Sequence, residues 1–139
     1  MFKHIMAPVD LTHTDRLDRA LQTTADVAKN YGAKVTYVSA SNDTPGSLAH
    51  NPQEFRDRLA AFAQEQADKA GIEADSHALI LNDEAVDLDN ALVHAADDLG
   101  ADLVIMASHK PGFVDHFWSS NGGAVARRAN ASVFIVRED

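Results

Sequence analysis

The chain has 139 residues, 45% of them hydrophobic and 24% charged, with a formal net charge of −9 and no cysteine. That balance suits one globular domain, expected over residues 1–139, with a core large enough to need no staples. It excludes disulfides, thiolate metal sites and the roughly 18-residue apolar run of a membrane span, and its acidity argues against nucleic acid or anionic membrane as a partner.

Residues 2–9 form the first predicted strand. Met1 to Met6 runs straight into it without a small-residue cleavage site, so the expected location is cytoplasmic. A first helix is expected over about 14–31, with Leu17, Ala20, Leu21, Thr24, Ala28 and Tyr31 on one face. Thr12 and Asp15 fit a capping box at its start, and Gly32 fits its stop. Lys34–Ala40 reads as the second strand, and residues 41–52 as a loop. A second helix follows over about 53–70, with Phe55, Leu59, Phe62, Ala63 and Gln66 sharing a face. The third strand is expected over 73–81 and the third helix over 86–99. Asp102–Ala107 is a continuous apolar run, typical of a parallel strand covered on both faces. A loop from Ser108 to about Trp118, a short helix over about 120–130 and a fifth strand, Ser132–Arg137, complete the pattern. Strict alternation of strand and helix predicts an α/β fold: a single open, doubly wound, Rossmann-like sheet of five parallel strands with four helices.

In such sheets ligands bind beyond the carboxyl ends of the strands, at the switch point. Two segments fall there: Pro8-Val9-Asp10, and the stretch from Ala107 through Ser108, His109, Lys110 and Gly112 to Ser119, Ser120, Asn121, Gly122 and Gly123. Small and polar residues at a helix start allow an anion to approach unpaired amides, which is suitable chemistry for a triphosphate; the bland alternative is a plain helix cap with glycine for close packing. Asp10 suits a ribose hydroxyl or a water-held magnesium ion, or simply caps the first helix. His109 suits a phosphate or a packing role over the loop. His116, Phe117 and Trp118 suit a lid, a partner contact or a loop anchor. His4, His77 and His94 lie within regular elements without metal-ligand spacing. There is no Walker phosphate loop, no Gly-x-Gly-x-x-Gly after the first strand and no Ser/His/Asp set spaced for hydrolysis.

Ile5-Met6-Ala7-Pro8-Val9-Asp10, Tyr37-Val38, Ala101 to His109 and Val125 to Arg137 together resemble the universal stress protein family across nearly the whole chain. ATP binders of that family usually carry Gly-x-x-Gly, nine residues, then Gly-Ser or Gly-Thr. Here Ala107 and Lys110 stand at the first two glycines, and Ser119-Ser120 at the final pair. Ala107-Ser108-His109-Lys110-Pro111 followed by Ser119-Ser120-Asn121 is similar to the nucleotide-binding F/G-type branch, with its glycine changed to Ser119.

The resemblance implies strand order 3-2-1-4-5, an adenine nucleotide alpha hydrolase-like fold, and ATP with Mg as ligand. It implies adenine near the backbone of Val9 and Val38, ribose near Asp10, Met106 and Ala107, and phosphates along His109, Lys110, Gly112 and Ser119 to Gly122. It also implies a homodimer paired through Val133, Phe134, Ile135 and Val136. The expected role is a nucleotide-responsive regulatory module. The alternatives are an ATP-independent stress protein of the same fold and an ATP-binding accessory regulator of a TRAP-type solute transporter. Enzymatic activity is expected to be at most slow ATP hydrolysis or autophosphorylation, with Ser108, Ser119 and Ser120 as acceptors.

Overall fold

Period-two and period-3.6 apolar patterns alternate along the chain and become alternating strands and helices. The computed structural model describes residues 1–42, 49–81, 84–108 and 121–138. In chain order they form β1 (His4–Pro8), a 3-10 segment (Leu11–Arg16), α1 (Asp18–Tyr31), β2 (Lys34–Asn42) and α2 (Pro52–Ala70). These are followed by β3 (Ala74–Leu81), α3 (Glu84–Leu99), β4 (Leu103–Ser108), α4 (Asn121–Arg128) and β5 (Ser132–Arg137). The strands make one five-stranded sheet in the order β3-β2-β1-β4-β5, and every pairing is parallel. The expected fold and strand order are therefore present.

Alternate strand residues face opposite layers, as the pleat requires. Ile5, Ala7, Val35, Tyr37 and Ile105 pack with Leu17, Ala20 and Ala28 of the α1 region and Leu59 and Ala63 of α2. Met6, Val38, Val104 and Met106 pack with Leu88, Leu92 and Ala96 of α3 and Val125 of α4. Leu59 and Leu92 are fully buried, each contributing about 2 kcal/mol of hydrophobic stabilisation. Across the sheet runs a polar chain: His4 Nε2 lies 2.7 Å from Thr36 Oγ1, which donates to Asp75 Oδ1 at 2.6 Å. Because the Thr36 proton is given to Asp75, His4 Nε2 must be the donor to Thr36.

The first helix differs from the expectation over 14–31. Residues Leu11–Arg16 wind as a 3-10 segment, and α1 begins after Leu17, whose φ of −117° and ψ of 10° break the helical run. The capping box of Thr12 and Asp15 does not form. Asp10 caps the segment instead, accepting from the Thr12 N–H at 3.0 Å, and the Thr12 hydroxyl turns back to Asp10 at 2.6 Å. Tyr31, expected on the buried face, is 41% exposed and meets Phe2 edge-to-face, because α1 ends there. The second helix starts as its sequence suggests: Asn51 accepts from the Glu54 N–H at 2.8 Å and Pro52 occupies the first turn. Gly32 and Gly71 end α1 and α2 with φ of 65° and 68°, a conformation that side-chain-bearing residues rarely adopt.

Candidate functional site

The two central strands stop pairing short of their carboxyl ends. β1 pairs with β2 through Pro8↔Val38, and β4 pairs with β5 through Ser108↔Arg137. Between β1 and β4 the register holds only Ile5↔Leu103 and Met6↔Val104. Proline explains the early end. Lys3 and Val9 bond toward β2, whereas the His4 carbonyl accepts from the Asp102 N–H on the β4 side. Residues of a strand alternate in the side to which they bond, so Pro8 falls on the β4 side and has no N–H to continue that ladder. The opening lies where strand connections diverge, β1 leading to β2 and β4 to β5.

Of the residues expected at the site, Pro8, Val9 and Asp10 stand on one side of this opening and Met106, Ala107 and Ser108 on the other. Val9 and Met106 are buried, and Asp10, Ala107 and Ser108 are partly exposed. Val38 lies beside Pro8 in register. Its carbonyl already accepts from the Val9 N–H at 2.8 Å, so that amide is committed to the sheet. The Ser108 carbonyl likewise accepts from the Glu138 N–H at 3.0 Å. Asn121 opens α4 and Gly122 lies in its first turn. A Cβ on Gly122 would stand 3.0 Å from Ile135 Cδ1, so glycine here serves the close packing of α4 on β5. His109, Lys110, Gly112, Ser119 and Ser120, together with His116, Phe117 and Trp118, lie outside the described residues.

Asp10 is more occupied than sequence reasoning suggested. Besides its two contacts with Thr12, its Oδ2 lies 2.9 Å from His13 Nδ1. The Asp10 carboxylate is only 14% exposed and the His13 ring 35%. This fixes the ring and turns Nδ1 toward the carboxylate, and among the described residues Nε2 has no partner. Thr12 and His13 were not among the expected site residues. The Asp-x-Thr spacing signals an Asx-type turn and was available in the sequence; nothing local marks His13.

Helix amino ends near this edge are partly filled by the protein itself. Glu138 accepts from the Arg19 and Ala20 amides of α1, and Asn51 caps α2. Among the described residues, no group of three His, Asp or Glu side chains is placed to hold a metal ion. No helix among them is long and apolar enough to cross a membrane.

A model of the universal stress protein family matches residues 1–137. Universal stress protein G of Shigella flexneri is 27% identical over 153 residues, covering 99% of this chain and all of the relative. A universal stress protein solved in complex with cAMP superposes with a TM-score of 0.68 at 22% identity, covering 99% of this chain and 98% of that one. The universal stress protein of Archaeoglobus fulgidus in complex with dAMP superposes with a TM-score of 0.67, also at 22% identity, covering 96% of each chain.

Proposed function

The chain belongs to the universal stress protein family, and from that premise we propose that it binds an adenine nucleotide, ATP with Mg, at the β1–β4 opening and acts as a nucleotide-responsive regulatory module. The observation that carries this reading is the loss of β1–β4 pairing after Met6 and Val104, at the switch point of an open parallel sheet, where ligands bind in such folds. The cAMP and dAMP complexes of proteins with this fold support an adenine moiety as the common element.

In this reading adenine lies against the backbone at Val9 and Val38. The Val9 N–H is already donated to the Val38 carbonyl, so that amide is not available to the base. Ribose lies by Asp10, Met106 and Ala107. The phosphates follow Ser108, His109, Lys110 and Gly112 to Ser119, Ser120, Asn121 and Gly122, at the amino end of α4. Mg would accompany the triphosphate and supply charge neutralisation there. No catalytic residue is assigned.

Dimer formation through β5 belongs to the same proposal. β5 is an edge strand with Phe134 and Ile135 exposed at 46% and 43%, and an apolar unpaired edge favours pairing with a second copy. Nucleotide binding would act by favouring one state of that pair or of a partner contact. A TRAP-type transporter would be one such partner, and co-purification of the transporter's subunits separates that role from a stand-alone one. Sedimentation of a Phe134→Lys variant as a monomer, against a dimeric parent, supports the β5 pairing.

A second reading, an ATP-independent member of the family, is favoured by the occupied Asp10 carboxylate. Calorimetric titration of nucleotide-free protein with Mg-ATP and with AMP separates the two. Saturable binding that disappears when Ala107→Phe fills the opening supports nucleotide response. No heat at millimolar nucleotide leaves the ATP-independent reading.

A further inference from the structure

α1 and α2 lie together on one face of the sheet, opposite α3 and α4. Between them is a cavity of about 310 Å³, within the lower range of small-molecule pockets. Asp18, Gln22 and Lys29 of α1 and Gln66 and Lys69 of α2 supply its polar groups. It shares no lining residue with the β1–β4 opening.

Two observations converge there. Gln66 is only 9% exposed, it lines the cavity, and its side-chain amide makes no hydrogen bond among the described residues. Its polar atoms open onto the cavity, so the amide is available to a hydrogen-bonding ligand. Lys29 and Lys69 also line the cavity, and neither has an ion pair among the described residues. The chain has 21 acidic residues against 12 Lys and Arg, so two unpaired cations in one cavity run against its overall charge. Asp18 is the carboxylate in the lining; Asp26 accepts from Gln22 at 2.8 Å and Asp68 from Gln64 at 2.9 Å. Each lysine stands in the last turn of its helix, where a cation offsets the carboxyl-end dipole. That accounts for a lysine on each helix and not for their lining one cavity together with the Gln66 amide.

We propose that the α1–α2 cavity is a second ligand site, for a small organic anion carrying carboxylate or phosphate groups. Lys29 and Lys69 hold its charge and the Gln66 amide donates to an anionic oxygen. Leu21, Ala25 and Ala70 provide an apolar wall for its carbon skeleton. Asp18 disfavours a second anionic group at the far end and favours a hydroxyl or ammonium there.

The test uses citrate and inorganic pyrophosphate as probes, titrated into the full chain at constant ionic strength and followed by amide NMR. The expected result is a saturable shift of the Gln66 side-chain amide and the Ala25 and Ala70 backbone amides. In a Lys29→Gln/Lys69→Gln variant the dissociation constant rises by about tenfold or more, while AMP titration at the β1–β4 opening is unchanged. Gln66→Leu removes the amide donor and should weaken both probes. Failure of the Gln66 amide to shift saturably overturns the proposal. So does probe binding that survives the lysine substitutions, or a response confined to β1 and β4. Failure of AMP to bind leaves this site untouched and bears only on the nucleotide reading.

Discussion

The Glu138 carboxylate accepts from the Ala20 amide at 2.6 Å and from the Arg19 amide at 3.0 Å, so the residue after β5 caps the first turn of α1 across the whole length of the chain. α1 needs this, because its own N-cap residue is Leu17, which makes no side-chain cap bond. A negative group at a helix amino end also satisfies the dipole. Glu138→Ala should therefore lower stability by about 1 kcal/mol, read as a lower urea midpoint with an unchanged slope. Glu138→Gln, which keeps an acceptor, should lose less. Equal stability of parent and Ala variant would show that the cap contributes nothing.

Asp10 has a structural role and a proposed ligand role, and two substitutions separate them. Asp10→Ala removes the acceptor for Thr12 and should cost about 1 kcal/mol. Asp10→Asn keeps an acceptor and should leave the urea midpoint nearly unchanged. If the carboxylate meets ribose, the Asn variant should still weaken AMP by about tenfold in calorimetry. An unchanged dissociation constant would reduce Asp10 to a cap.

Acid should loosen the junction between β1 and β4. Burial pushes the Asp102 carboxyl up, but the Lys3 and His4 amides donate to it at 2.9–3.2 Å and outweigh that push, leaving it below the ordinary 3.8. A depressed carboxyl contributes stability that is present above its unfolded value and lost as pH falls through its folded value. Asp102→Asn should therefore be less stable than the parent at neutral pH, with the gap closing as pH falls below 3.8. Denaturation midpoints over an acid series measure this, and a gap independent of pH would contradict it.

Base should act through Tyr37. Burial pushes its phenol up to about 12 from an ordinary 10.0. The folded chain holds this proton more tightly than the unfolded one. The resulting stability is complete below pH 10 and is lost as pH rises toward about 12. In an absorbance titration one phenol should ionise late or together with unfolding, and Tyr37→Phe should abolish that step.

Gly122 and Ile135 should be coupled. A Cβ at Gly122 would stand 3.0 Å from Ile135 Cδ1, the flexible end of that side chain. Gly122→Ala gains helix propensity of up to about 1 kcal/mol and loses much of it to this contact. With Ile135→Val, which removes Cδ1, the alanine should become clearly more favourable. A double-mutant cycle in denaturant gives the coupling, and strict additivity would place the contact elsewhere.

Local pattern determined most of the architecture. The apolar run Leu103 to Met106, the face of Leu88, Leu92 and Ala95, and the stops at Gly32 and Gly71 depend on neighbours within a few residues, so periodicity and turn chemistry expose them. Only tertiary structure decided the rest. The break at Leu17 accompanies a helix start capped from Glu138, and the commitment of the Val9 amide needs Val38 of the next strand. The β1–β4 opening depends on which side of β1 the missing Pro8 donor faces, which is set by register. The α1–α2 cavity brings Gln66 of one helix and Lys29 of another into one lining. Each is a contact between segments distant in sequence, and periodicity carries information only about a residue's own element.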